Sequence, residues 1–347
     1  MALSITRLQD VVFHVGPKRE DNALYQDGAL IDSSKINHRI NAPKTASEGK
    51  IGLSIEKPVY YLGVFYTCWG NCITDNLKFL WPFTQKDKHP FLDDCLFVYS
   101  KVKLFGKDIP PNFTAILDTL GVPKDRLLEI TDTTLLRQCY LADESYVQDP
   151  VADKNSFTPE YTNTIDFICK KHPPSSGTHN PKVYFTRTGW DRWEYGEKSI
   201  EDSFRSAGYS IFAPEKLSLA KMISILQGAD VFASFEGSCA HNSIFLRPAT
   251  KAILLKKLDF VNKYQASINE ARNLDVMHIN ANISFLFYDD NDKLGGPFFM
   301  YPSKQLRRFL GTRWSFPIIE FIKYLSWGFA LHYGHLLGEF IRRHKGQ

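Results

Sequence analysis

Residues 182–190 read KVYFTRTGW, and residues 228–255 read GADVFASFEGSCAHNSIFLRPATKAILL. Short apolar runs at 183–185, 209–212, 230–235 and 252–255 alternate with stretches of helical pattern beginning at Glu197, at Leu219 and near Asn242. Runs this short, rich in aromatic and β-branched residues and separated by helical segments, predict parallel strands joined by crossover helices. Glu236 and then Gly237, Ser238 and Cys239 follow the third run. A strand-to-helix turn of small residues is where a parallel sheet offers backbone N–H groups and a helix start to a phosphate. A polar loop with Arg187 and Arg192 follows the first run, and Pro214-Glu215 follows the second.

Composition places this stretch in an ordinary folded chain. The 347 residues suffice for two domains, with 44% hydrophobic, 23% charged and 14% aromatic residues. The net charge of +4 is unevenly spread: residues 303–347 hold eight Lys or Arg against two Glu, a local +6, leaving −2 for the rest. A basic tail on a near-neutral body points to a local anionic contact and away from a nucleic-acid-binding protein. The six cysteines (68, 72, 95, 139, 169 and 239) lack metal-ligand spacing and read as reduced thiols. Residues 1–16 have neither a basic start nor an apolar core, so no export signal is expected and a cytoplasmic location is.

Upstream, residues 1–60 read as strands and turns, with Asp27-Gly28 a hairpin signal. Residues 59–65 form an apolar strand leading into Trp69-Gly70-Asn71-Cys72-Ile73-Thr74-Asp75. Leu77, Leu80 and Trp81 then recur at helical spacing until Pro82. That spacing predicts a helix with Asp75 just inside its start, projecting from the sheet's carboxyl edge, where α/β ligands bind. Residues 113–120 read as a helix closed by Gly121, and 159–171 as another with Lys170 and Lys171 at its end. Pro-Pro, Ser-Ser-Gly and Asn-Pro mark 172–181 as a linker. The expected organisation is a domain over 1–172, a second over 182–300 and a helical tail over 301–347. Residues 314–341 are apolar almost all round, interrupted by Glu320, Lys323, His332, His335 and Glu339, so a bilayer span is not expected.

The order and spacing of these residues resemble the family 61 glycosyltransferases, known from bacterial capsule and surface-polysaccharide loci. The resemblance rests on Arg187 and Arg192, Glu197, Gly208-Tyr209, Pro214-Glu215 with Leu217-Ser218-Leu219, and the loop Gly237, Asn242 and Phe245. Upstream it includes Trp69-Gly70-Asn71 with Asp75. Four positions depart from the family's usual residue: Trp193 stands for Arg, Gly196 for Asn, and Asn71 and Glu236 each for His.

The resemblance implies an α/β fold of the GT-B type, two Rossmann-like domains facing a cleft, with the C-terminal aromatic basic helix in addition. It implies an inverting glycosyltransferase using a nucleotide-sugar, UDP-linked by expectation, with no metal or cofactor. The acceptor would be a hydroxyl of a surface polysaccharide or lipid-linked glycan precursor. Inversion needs one base for the acceptor proton and positive charge where the diphosphate leaves. Asp75 is the expected base, or else a helix cap. Arg187 and Arg192 are expected on the diphosphate, with Gly237, Ser238 and Cys239 as the phosphate- or ribose-facing turn and Glu215 beside them. Glu197 either orients the arginines or caps its helix. Glu236 would hold a ribose or acceptor hydroxyl. Asn242 braces the loop, His241 is a packed or supporting residue, and Trp69, Gly70 and Asn71 support the acceptor side. Asp290-Asn291-Asp292 matches the metal signature of the other large glycosyltransferase fold, but reads here as turn chemistry. The tail fits an interdomain helix, a homo-oligomer contact or an anionic membrane surface. Other readings are a pyruvyl or phospho-group transferase and a non-catalytic glycan-binding protein.

Overall fold

The computed structural model describes residues 2–16, 18, 21–35, 43, 51–102, 108–174, 180–189, 194–257, 262–283, 298–312 and 316–344, with side chains of the last helix described to 330 and at 333–334. Arg192, Trp193 and residues 290–292 lie outside the described residues. The chain is mixed α/β and divides into two compact units. One is Met1–Pro174 with Ser218–Gln227 and Lys263–Arg272. The other is Ser175–Leu217 with Gly228–Asn262 and Asn273–Gln347.

The first unit is built on one mixed sheet. Its strands are β1 (Ile5–His14), β2 (Ala23–Gln26), β3 (Ala29–Leu30), β4 (Leu53–Ile55), β5 (Val59–Tyr66), β6 (Leu96–Val102), β7 (Leu127–Glu129) and β8 (Thr134–Ala142). They run in the order β3-β2-β1-β8-β5-β6-β7, with β4 also on β8. β1 is antiparallel to β2 and β8, whereas β5, β6, β7 and β8 pair in parallel. Asp27 and Gly28 both have positive φ, 50° and 77°, as the two-residue β2–β3 hairpin requires. Every residue of β5 is buried, the signature of a parallel strand covered on both faces. The β5–β6 register shifts between Tyr61 and Gly63, where φ is +110° and a Cβ would lie 3.1 Å from the Phe79 ring. Only glycine suits this bulge, and it lets Phe79 pack flush beneath the strand's carboxyl end.

β5 enters α1 (Trp69–Cys72), a single turn, followed by turns to Phe79 and a 3-10 helix over Trp81–Lys88. The helix expected across 77–81 is therefore not formed. Asn76 takes the backbone N–H of Tyr66 on its Oδ1 and gives its amide to the Tyr66 carbonyl, folding the chain back on β5. Pro82 then removes an N–H that a continuing α-helix would need. Asp75 consequently sits in a turn after α1. Beyond β8 lie the hairpin β9 (Tyr146–Asp149) and β10 (Lys154–Phe157), with α2 (Pro111–Thr119) and α3 (Pro159–Lys171). Thr158 caps α3 by accepting from the Tyr161 N–H, Pro159 opens it, and Lys170 and Lys171 lie in its last turn.

The second unit holds a five-stranded sheet in which every pairing is parallel: β11 (Lys182–Phe185), β13 (Ser210–Phe212), β14 (Val231–Phe235), β15 (Lys251–Lys256) and β16 (Asp275–Asn280). The order β13-β11-β14-β15-β16 reverses direction between β11 and β14. Such a reversal opens a crevice at the carboxyl ends of the two strands, the usual ligand position in open α/β sheets. A small sheet of β12 (Glu194–Tyr195), β17 (Asn282–Ile283) and β18 (Phe298–Met300) adjoins α4 (Glu197–Ser206) and α8 (Ile318–His344), with α7 (Lys304–Leu310) between β18 and α8 in the chain. α5 (Leu219–Gln227) and α6 (Lys263–Ala271) belong to the first unit. All six cysteines are free.

Candidate functional site

In the first unit the polar centre is Asp75, which is only 3% exposed. Its Oδ2 accepts from Asn71 Nδ2 at 2.9 Å and from the Thr74 hydroxyl at 2.8 Å, and its Oδ1 accepts from Gln148 Nε2 at 2.9 Å. All three donors are neutral. Burial raises the carboxyl above its ordinary value, and the Asn71 and Thr74 hydrogen bonds offset this only in part. Asp75 caps no helix. Asn71 supplies a hydrogen-bond donor where the family usually carries His. Gln148, on β9, also donates to the Tyr264 hydroxyl at 3.0 Å, while its buried Oε1 has no partner among the described residues. Gly70 is buried, and Trp69 opens the helical turn that brings Asn71 under Asp75.

The second unit gathers charge at the reversal point. Arg187 leaves the end of β11, and its guanidinium lies 3.2 Å from Glu194 Oε1. Lys257, one residue past β15, reaches the same oxygen at 2.7 Å. Among the described residues two cations thus share one carboxylate. Burial lowers the Lys257 ammonium and Glu194 opposes the shift. Gly237 follows β14 with φ of +121°, and a Cβ there would lie 3.7 Å from Arg187 Nη1. The glycine keeps the turn's backbone within reach of whatever the arginine binds.

Glu197 holds this arrangement from below. It is 4% exposed and accepts the Arg187 backbone N–H at 2.8 Å, with Tyr184 and Thr186 hydroxyls at 3.3 and 3.4 Å. It therefore orients Arg187 through the main chain. Gly196, the N-cap residue of α4, makes no side-chain cap. Burial pushes Glu197 up to about 7 despite the Arg187 N–H. One turn along α4, Glu201 is also buried, yet hydrogen bonds from Lys198, Arg205, Thr188 and Thr186 outweigh burial and hold it at about 2.

The remaining expected residues separate into two groups. Glu236 sits at the end of β14 with Oε1 3.0 Å from His278 Nδ1 of β16, so an imidazole returns where the family's own His is replaced. Burial raises the Glu236 carboxyl, opposed by His278. Glu215 is exposed on a 3-10 turn, its Oε1 facing the backbone of Gly189. Ser238 is half-buried in the turn. By contrast, Cys239 directs its thiol to the Phe185 carbonyl at 3.6 Å, and burial pushes it to about 12. Asn242 is fully buried and donates to the Cys239 carbonyl at 2.8 Å. His241 is buried, and its ring is lowered to about 4 by that burial. These three brace the turn. The helix expected after it is a 3-10 segment, Ala240–Phe245, with all six residues buried. So short a segment carries little dipole to attract an anion.

Gly196 explains another departure. Its φ is +87°, and a Cβ would stand 1.9 Å from the Met300 carbonyl. Its N–H donates to Glu320 of α8. Lys257, Glu194, Gln148 and His278 were not anticipated. Lys257 alone had a local signal, as a cation directly after an apolar strand. Among the described residues no cluster of His, Cys, Asp or Glu could hold a metal.

A search of curated proteins found no match. The family description Glycosyltransferase 61 matches residues 69–253, more than half of the chain, from the turn that carries Asp75 through the loop after β14 to β15. The chain belongs to the glycosyltransferase 61 family, and its activity is that of a glycosyltransferase, with a sugar donor and a glycan acceptor.

Proposed function

We propose that the enzyme transfers a sugar, with inversion, from a nucleoside diphosphate sugar to a hydroxyl of a surface polysaccharide or lipid-linked glycan precursor. Asp75 takes the acceptor hydroxyl's proton as that oxygen attacks the anomeric carbon. The bond from that carbon to the diphosphate breaks, and the nucleoside diphosphate leaves with the electron pair. Arg187 and Lys257 neutralise it, with Glu194 moving aside. Arginine suits this task because its planar fork makes two parallel bonds to phosphate oxygens. Gln148 Oε1 accepts from an acceptor hydroxyl, and Glu236 with His278 takes the ribose. On this reading the diphosphate's charge is met by side chains and no metal takes part.

The observation that carries the reading is the pair of half-buried cations on one carboxylate, beside a glycine turn at the point where the sheet order reverses. The test is nucleotide release from a panel of UDP-, GDP- and CMP-sugars. Release from at least one, most readily the UDP-linked donors, is the expected result. If no nucleotide binds, or phosphoenolpyruvate stabilises the fold where UDP does not, the reading fails.

A further inference from the structure

α8 packs on β12 and β18 through one face. Tyr324 is fully buried, and Phe321 and Tyr324 meet the Phe299 ring at 4.9 and 5.7 Å. The opposite face holds Ile318, Ile322, Phe329 and Tyr333, four or seven residues apart, with Ile319 beside them, all 50–68% exposed. A helix on a globular surface ordinarily turns polar residues outward there. Glu320 turns inward to the Gly196 N–H, so Lys323 is the charged group on that face among the described side chains. α7, which precedes α8 in the chain, carries Lys304, Arg307 and Arg308, all exposed.

We propose that this face docks in the plane of an anionic lipid surface. Exposed apolar side chains beside Lys323, on a C-terminal segment 303–347 whose sequence carries a local charge of +6, complement a bilayer interface, apolar within and negatively charged at its headgroups. A second copy would bring like charge against like charge, which disfavours self-association through the same face. Trp327 and Tyr195 line a shallow groove with Lys323, Ser326 and Ile322, an aromatic and cationic edge of the kind that sits at headgroup level. No helix among the described residues is long and apolar enough to cross a membrane, so the contact is peripheral. The face is carried by the helix that packs on β12, the strand of Glu194, so docking would bring this part of the fold to a lipid-linked acceptor.

The test is flotation of the full chain with vesicles of phosphatidylcholine alone or mixed with phosphatidylglycerol. The mixture should bind the protein, with affinity at least about tenfold above the neutral vesicles. Arg307→Gln with Arg308→Gln should cost about fivefold per charge removed. Ile322→Asp with Phe329→Asp should reduce binding by about tenfold or more, with melting temperature and circular dichroism unchanged. Equal binding to both vesicles, or flotation unaffected by the aspartates, overturns the proposal. So does a dimer in light scattering that the aspartates split, because the face would then be a self-contact.

Discussion

Asp75 and Glu201 are both buried carboxylates, and they are treated in opposite ways. Asp75 is given three neutral donors and is raised by burial. Glu201 is given Lys198, Arg205 and two threonine hydroxyls and is held at about 2. The first setting suits a group that takes a proton, the second a group that must stay charged. The same contrast separates the two units: around Asp75 the polar partners are amides and hydroxyls, whereas Arg187 and Lys257 converge on Glu194. On the proposed reading, the first region supplies the base and the second receives negative charge.

The largest expected effect comes from removing the base. Asp75→Asn should lower turnover by about 100- to 10,000-fold while leaving nucleotide affinity unchanged, as single-turnover rates and calorimetry would show. A loss of affinity of the same size would dissolve the contrast between the regions.

Glu197 comes next, with a sign fixed by its raised value. Its protonated form is favoured in the folded protein, so its contribution is full below the ordinary value of 4.5 and is lost as pH rises through about 7. The span corresponds to about 3 kcal/mol. Melting temperatures of wild type and Glu197→Gln should therefore diverge between those pH values, with wild type losing ground as pH rises. Parallel curves would place Glu197 outside the titrating set.

Arg187→Ala should weaken UDP binding by about 10- to 100-fold, the cost of charge-assisted hydrogen bonds, and Arg187→Lys should recover only part of it. The smallest effect sharpens the Asp75 side. Its raised carboxyl predicts an acid limb of kcat/KM above the ordinary aspartate value. Asn71→Ala, by removing a donor that lowers it, should push that limb higher still. A limb that moves down would contradict the role of Asn71.

Much of the fold was legible because its signals are local. The apolar runs at 183–185 and 230–235 gave strands, Asp27-Gly28 gave a hairpin, and Pro159 with Lys170 and Lys171 bounded α3. The stretch after β5 misled, because Leu77, Leu80 and Trp81 carry helical spacing whose burial is satisfied by turns. The bonds of Asn76 to the β5 backbone and the proline decide otherwise. The candidate site divides similarly. Arg187, Gly237 and Asp75 could be picked out from residue type and position. Gln148 lies 73 residues from Asp75 and Lys257 lies 63 from Glu194, and such pairings exist only once the sheets have formed. Cys239 and Asn242 lie in the expected turn but serve it by packing, a distinction that depends on which way each side chain points.

The most direct measurement is calorimetric titration of UDP into wild type, Arg187→Ala and Asp75→Asn. The account predicts that Asp75→Asn binds as wild type does and that Arg187→Ala binds at least about tenfold more weakly. Binding that is indifferent to Arg187, or abolished with Asp75, would contradict it.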